Sequence, residues 1–415
     1  MFLQNAISKR INDNNPVKVA LIGAGKFGSM FLSQVPSTLG IEVLVIADLK
    51  PDNAVKACKK VGWSDDLINK TKFVDRGTDA IKLNEVEVVI EATGFPAAGI
   101  EHARQAFQNG KHIIMVNVEA DVLAGAALVK EANSAGVVYS MAYGDQPALT
   151  AEIVEWARAS GFNVTSAGKG TRYQPIYHKS SPDTVWDYYG LTHEEARKAG
   201  MNPKMFNSFL DGTKSGLEMA AIANACDLEV PTNGLLFPPC GMDDLANILK
   251  PLEFGGLLEK NGQVEVVSSL ERDGRPVFKD LRWGVYAVLE APNDYAASCF
   301  KQYGMNTDDT GKYSAMYKPF HLIGMELNIS VFSAALLNQA TGQTKKFTGD
   351  VVSTTKKNLK KSEILDGEGG ATVWGKLVPS KLSLSMEALP IGLAHGIKLK
   401  SDEKMTLFSQ FNIRW

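Results

Sequence analysis

The sequence predicts an α/β chain: a doubly wound parallel sheet first, then an α+β region, then a small β-rich tail. Three observations carry this. Short apolar runs alternate with helical patterns up to about Asp145, as expected for strands buried on both faces of a parallel sheet. The first of these runs, Val17–Ile22, ends in Gly23, Gly25 and Gly28, and an apolar helix opens at Met30. Beyond Asp145 the alternation gives way to mixed texture, and from Thr344 short strands, lysines and glycine turns take over. The expected domains are therefore 1–145, 146–343 and 344–415, and 415 residues are enough to bury cores of that number.

Each glycine after the first strand has a mechanical reason. Gly23 permits the tight turn, Gly25 lets a pyrophosphate approach the backbone, and Gly28 lets helix and strand pack closely. The helix start presents unpaired N–H groups and the positive end of its dipole to a diphosphate. Asp48 closes the next strand, Ile41–Ala47, about 20 residues after the glycines, where the ribose hydroxyls of a dinucleotide would lie. This is the layout of a Rossmann domain, and Gly23, Gly25, Lys26, Phe27, Gly28 and Asp48 are its candidate cofactor contacts. A glycine-rich turn in an ordinary α/β domain is the alternative, and the strand, helix and acid in register weigh against it. The cofactor expected is NAD or NADP. Asp48 favours NAD, because a carboxylate bonds both ribose hydroxyls and repels a 2′-phosphate, while Lys50 would offset part of that repulsion.

The alternation continues with a helix over Pro51–Lys60, a strand over Val86–Glu91 and a helix over Ala97–Gln108 that stops at Asn109 and Gly110. Then come a strand over His112–Val116, a helix over Val122–Ala135 and a short strand over Val137–Ser140. Ligands of such sheets bind outside the carboxyl ends of the strands. Thr93, Gly94 and Pro96 are thus placed beside a nicotinamide, with Asn117 after the next strand.

Bulk properties narrow the function. A formal charge of −2 leaves no electrostatic footprint for nucleic acid or an anionic membrane. Cys58, Cys226, Cys240 and Cys299 show no CxxC and no metal-ligand spacing, so free thiols in a reducing compartment are expected. Residues 1–16 lack the apolar core of a signal peptide, and no run is long enough to span a bilayer. A cytoplasmic protein acting on a small molecule is the simplest expectation.

The middle region reads as a helix over Thr150–Ser160, a strand over Phe162–Ala167, an irregular lid or surface excursion over Thr171–Phe206, and a helix over Phe209–Asp227. Strands are expected at Val264–Val267, Trp283–Leu289 and Leu322–Val331. Lys169, between Gly168 and Gly170, could polarise a carbonyl or hold a phosphate where a ligand meets bare backbone; a surface-turn lysine is the bland reading. Asp211, Lys214 and Glu218 are spaced by three and four on one helical face. Such a row is usually a solvated ion-pair ladder, but this helix is too apolar for full exposure, so a site is favoured. Glu119, Asp121 and Asp145 could hold a divalent cation through oxygen ligands, although Asp121 serves equally as a helix cap. His321 is a candidate acid or base beside aromatic residues that suit a core histidine as well. The tail's lysines, including those of Val351–Lys361, read as a solvated face.

Taken as a set, GAGKFG (Gly23–Gly28), EATGFP (Glu91–Pro96), MVNVEADV (Met115–Val122), SAGKG (Ser166–Gly170), FLDGTKSGLEMAAIAN (Phe209–Asn224) and YKPFHL (Tyr317–Leu322) resemble the homoserine dehydrogenase-like oxidoreductases with a C-terminal SAF domain. The resemblance covers nearly the whole chain, more loosely in the tail from Val351, and is nearest to the deoxyxylulose-phosphate reductoisomerase-like enzymes. It implies an NAD(P)-dependent oxidoreductase acting on a small hydroxy or oxo compound, specifically conversion of deoxyxylulose phosphate to methylerythritol phosphate, with homoserine dehydrogenase as the alternative. It implies a homodimer or higher oligomer, in which the middle domain serves both catalysis and dimerisation. The residues themselves suggest the roles: Lys169 polarises the developing oxyanion or anchors the anionic group, Asp211 and Lys214 supply proton transfer and orientation, Glu119 and Glu218 steer the substrate or hold a cation, and His321 is a further candidate. Two departures stand out. Glu119 is an acid where homoserine dehydrogenases carry a lysine, which argues against homoserine, and Asp48 argues against the NADPH expected of the reductoisomerase-like group. A non-catalytic NAD(P)-sensing protein is the reading from a different class.

Overall fold

Val17–Ile22 forms β1, and it is buried on both faces because every residue but Lys18 is apolar. The computed structural model describes residues 3–404. β2 (Ile41–Ala47), β3 (Lys72–Val74), β4 (Val88–Glu91), β5 (His112–Met115) and β6 (Tyr139–Met141) join β1 in one parallel sheet of order β3-β2-β1-β4-β5-β6. The order reverses between β1 and β4, the switch point at which doubly wound sheets bind ligands. Alternation along the strands feeds two cores. Val19 and Leu21 pack with Phe31 and Leu32, while Ala20 and Ile22 pack with Ala103, Phe107 and Leu128. Helices over Lys26–Gln34, Pro96–Gln108 and Val118–Ser134 cross between strands, and the first of them opens at Lys26 rather than at Met30.

Residues 321–345 belong to this same compact unit, together with residues up to 152. The strand expected over Leu322–Val331 is not formed: a turn leads into a helix over Asn328–Phe332 and a single π turn over Ser333–Leu337. Leu327, Val331 and Ala334 are spaced by four and three, and it is this helical period that seats them in the core with Leu32.

The second unit holds residues 153–320 and those from 346 onward. β7 (Asn163–Thr171), β8 (Gln263–Ser268), β9 (Val285–Glu290) and β10 (Tyr313–Lys318) form a mixed sheet of order β10-β9-β7-β8. β7 runs parallel to β8 and antiparallel to β9. The excursion over Thr171–Phe206 contains short helices packed around Trp186, Tyr177 and Phe206. The expected helix over Phe209–Asp227 is broken. One helix ends at Leu210, Gly212 takes a φ of +92°, and a second helix runs Thr213–Cys226 with every residue but Lys214 buried. It is buried because β11 (Gly349–Thr355) and β12 (Val373–Pro379), an antiparallel pair, pack on it. A Cβ on Gly216 would lie 3.1 Å from the Gly375 carbonyl oxygen, and Asn224 accepts the N–H groups of Thr348 and Gly349. The β-rich tail thus shares one compact unit with the middle region, and residues 405–415 of the expected third domain lie outside the described residues. No described helix is long and apolar enough to cross a membrane.

Candidate functional site

In the first unit the glycine turn has the geometry its spacing demands. Gly23 has a φ of +96°, and a Cβ there would sit 2.7 Å from the Ala92 carbonyl oxygen, so the turn at the end of β1 lies against the end of β4. Gly28 is pressed to the turn itself, since its Cβ would meet the Gly23 carbonyl oxygen at 2.4 Å. Gly25, between them, has open space and caps the Lys26–Gln34 helix, leaving room for a diphosphate over the first N–H groups. Lys26 is exposed beside this opening, and Phe27 packs back on the sheet core. Asp48 follows β2 and accepts hydrogen bonds from the backbone N–H of Ala24 at 3.2 Å and of Lys50 at 3.0 Å. The carboxylate therefore stands against the turn, where the sequence placed it. The residues present fit a dinucleotide.

After β4, Thr93, Gly94 and Phe95 are exposed, and Pro96 starts a helix. Thr93 donates its hydroxyl to Glu91 at 2.5 Å, and His102 Nδ1 donates to the same oxygen at 3.2 Å. The other carboxylate oxygen of Glu91 is buried without a partner. Sequence reading counted Glu91 only as a strand end; a fully buried acid beside the exposed Thr93 turn is the signal it passed over. Asn117 is buried and caps the Val118–Ser134 helix through Ala120 N–H, with its side-chain nitrogen unpartnered.

Glu119 lies in the first turn of that helix, and Asp121 is fully committed. It accepts from the Tyr139 hydroxyl at 2.9 Å and from Thr344 at 3.0 Å. Among the described residues no cluster of three or more His, Cys, Asp or Glu could hold a metal ion, so the Glu119–Asp121–Asp145 arrangement is not realised. Burial pushes the Asp121 carboxyl up to about 6, above its unfolded value, so the folded state holds the proton more tightly. Stability from this residue is greatest below pH ~4 and falls by about 3 kcal/mol as pH rises to about 6. Asp121→Asn is expected to flatten that part of the stability-versus-pH curve in urea melts. An unchanged slope would show that Asp121 ionises freely.

In the second unit Lys169 lies within β7, not in a turn after it. The flanking glycines serve the sheet rather than a ligand. Cβ atoms on Gly168 and Gly170 would collide with the carbonyl oxygens of Glu265 and Leu281, at 1.9 and 1.8 Å. Lys169 is 6% exposed and pairs directly with Glu218, 4% exposed, on the Thr213–Cys226 helix. Lys214 stands one turn before Glu218 and is half-buried.

Asp211 does not join this pair. It ends the preceding helix, accepts the Thr213 N–H at 2.9 Å, and pairs with Lys356 at 2.6 Å. The Lys356 ammonium also donates to the carbonyls of Ser180 and Gly370, each at 2.7 Å. Burial pushes the Asp211 carboxyl up, and Lys356 opposes it. The expected single face of three charges is thus split, because the chain breaks at Gly212. Lys356 also corrects the solvated-face reading of the tail, being 6% exposed and spent on three acceptors. Sequence reading also missed His178. Its Nδ1 donates to the Asp211 carbonyl at 2.7 Å, its Nε2 accepts from Tyr173 at 2.9 Å, and its ring stacks on Trp374 at 3.9 Å. Burial, with Lys356 and Lys376, lowers His178 to about 4, so it is neutral. Glu119 and His321 belong to the first unit, while Lys169, Asp211, Lys214 and Glu218 belong to the second.

Two family models match the chain. Residues 23–142 match the NAD-binding domain of homoserine dehydrogenase, and residues 144–327 match the catalytic domain of oxidoreductase DRL. Among solved structures, a homoserine dehydrogenase from Thiobacillus denitrificans is 14% identical over 82% of this chain and 83% of its own, with a TM-score of 0.46. A myo-inositol dehydrogenase from Lactobacillus casei, in complex with NAD(H) and myo-inositol, is 15% identical over 41% of this chain, with a TM-score of 0.32. A 3-ketoreductase from Actinomadura kijaniata, in complex with NADP, is 17% identical over 39% of this chain, with a TM-score of 0.29. The chain spans 50% of the length of each of these last two. No curated protein sequence matches it. The cofactor is NAD or NADP, carried by the matched NAD-binding domain. In domain content the chain joins a segment that matches an NAD-binding domain to one that matches an oxidoreductase catalytic domain.

Proposed function

We propose that the chain is a reductoisomerase of a small phosphorylated keto compound: in deoxyxylulose phosphate the C3–C4 bond breaks as a C2–C4 bond forms, giving a branched aldehyde, and hydride transfer to that aldehyde with protonation of its oxygen gives methylerythritol phosphate. The observation that carries this reading is the buried Lys169–Glu218 pair inside the segment that matches the oxidoreductase DRL catalytic domain. The homoserine dehydrogenase match, by contrast, covers the cofactor-binding segment, and Glu119 puts an acid where homoserine dehydrogenases carry a lysine. A nicotinamide, when bound, supplies the hydride. Lys169 meets the negative charge that develops on the carbonyl oxygen and gives that oxygen its proton, and Glu218 fixes the direction of the ammonium. Lys214, one turn away, orients the anionic end of the substrate. Asp211 is a positioning residue: it fixes the start of the Thr213–Cys226 helix and so the place of Glu218. The resemblance also gives Glu119 and His321 a part in handling the substrate.

The resemblance also supports a SAF identity for residues 344–415, to which the β11–β12 pair is suited, and a homodimer. Exposed Phe278, Trp283, Met316 and Phe320 near the edge strand β10 support the latter. The full chain is incubated with deoxyxylulose phosphate or homoserine and each nicotinamide cofactor. Consumption of reduced cofactor with methylerythritol phosphate as product supports the reading. Turnover of homoserine alone would replace it.

Cofactor choice has its own test. Native protein is expected to bind NADH more tightly than NADPH, and Asp48→Ser to shift that ratio roughly tenfold towards NADPH by removing one repulsive charge. Fluorescence titration reads both constants, and clearly tighter NADPH binding by native protein would contradict the role given to Asp48.

A further inference from the structure

A second cavity-forming surface lies within the second unit, on the side of the Thr213–Cys226 helix away from the Lys169–Glu218 pair. At about 100° per residue, Gly216, which lines the cavity, stands about 200° from both Lys214 and Glu218. The cavity measures about 520 Å³, within the range of small-molecule sites. Phe237, His178 and Trp374 give it aromatic walls, and β11 and β12 contribute Thr354 and Lys376.

Its charge is one-sided. Three ammonium groups line it and no carboxylate does. Lys356 is spent on Asp211, but neither Lys179 nor Lys376 makes an ion pair or hydrogen bond among the described residues. The stem of Lys376 is held against Gly234, where an added Cβ would lie 2.8 Å from its Cε, so the ammonium is positioned rather than free in solvent. Burial lowers the pKa of Lys376 with no counter-charge to restore it. Thr354, 8% exposed, has a buried hydroxyl with no partner. Lys376 is half-buried and Lys179 exposed, and an anion that accepts from both ammonium groups and from the Thr354 hydroxyl offsets the partial loss of solvation.

We propose that this cavity is a second ligand site, for a small organic anion that carries a phosphate or carboxylate on a flat ring. The anionic group bonds Lys376, Lys179 and the Thr354 hydroxyl, while the ring lies along Phe237 and Trp374. The neutral His178 cannot donate from Nε2, which already accepts from Tyr173, so it serves as wall and not as anion ligand.

Phenyl phosphate is the probe, titrated by calorimetry into the full chain with reduced cofactor present, with inorganic phosphate and benzyl alcohol as the two halves of its chemistry. One saturable site is expected, weaker for inorganic phosphate and absent for benzyl alcohol. Lys376→Met is expected to weaken phenyl phosphate roughly tenfold, and the exposed Lys179→Met several-fold, as loss of a charge-assisted hydrogen bond does. Glu218→Gln is expected to bind the probe as native protein does. No saturable binding, binding indifferent to both lysine substitutions, or loss of binding in Glu218→Gln would overturn the proposal; the last would place the probe at the Lys169–Glu218 site.

Discussion

Replacing Lys169 with methionine is expected to lower kcat by roughly 100-fold or more while leaving the affinity for reduced cofactor unchanged. The two effects separate because the glycine turn that carries the dinucleotide is in the first unit and Lys169 is in the second. Methionine keeps the length and packing of the side chain but removes the ammonium proposed to meet charge on the reacting oxygen. It also strands the Glu218 carboxylate, 4% exposed, with no ammonium beside it. Some loss of stability is therefore expected, and steady-state rates are to be measured well below the melting temperature. Glu218→Gln is the companion variant: it keeps a hydrogen-bond acceptor for Lys169, and its kcat is expected to fall less than that of Lys169→Met. Equal and unimpaired kcat in both variants would remove the pair from the chemistry.

The largest effect on stability is expected from Lys356→Met. The Lys356 ammonium satisfies the Asp211 carboxylate and the carbonyls of Ser180 and Gly370, all buried. Removing one partner of such a pair leaves an uncompensated charge and two unmet acceptors, and destabilises by about 3–5 kcal/mol. Asp211 is already pushed up by burial, and Lys356 is the first of the groups that hold it down. In the variant its folded-state value therefore rises further above the unfolded one. The protonated form is then the one the fold tolerates, so the variant gains stability as pH falls and loses it as pH rises through the folded value. Urea midpoints are expected to be higher in mildly acidic than in neutral buffer for the variant. A midpoint equal to that of native protein at neutral pH would show that the Asp211–Lys356 contact does not stabilise the fold.

What could be read from the sequence was what is local in it. The turn from Gly23 to Gly28 and the acid at Asp48 are set by steric needs within a short βαβ segment, and their geometry follows the spacing directly. The Pro51–Lys60 helix was bounded correctly for the same reason, with proline at its start. Pairs far apart in the chain were not legible. Lys356 lies 145 residues from Asp211, and nothing local marks one tail lysine among many as buried. Gly168 and Gly170 misled because a glycine that admits a ligand and one that admits a neighbouring strand look alike in sequence. The row Asp211, Lys214, Glu218 failed at Gly212, whose positive φ breaks the helix on which the spacing argument relied. Leu322–Val331 reads as a strand in the sequence because short apolar runs do not separate helix from strand by composition alone.

In the proposed reaction a hydride passes from the bound nicotinamide to the aldehyde carbon formed when the skeleton of deoxyxylulose phosphate rearranges. Single-turnover reaction with a reduced cofactor deuterated at the transferred position of its ring tests this most directly, with deoxyxylulose phosphate as substrate and mass spectrometry of the product. The expected result is one deuterium on the carbon that becomes the new alcohol. A product formed without deuterium would contradict the account.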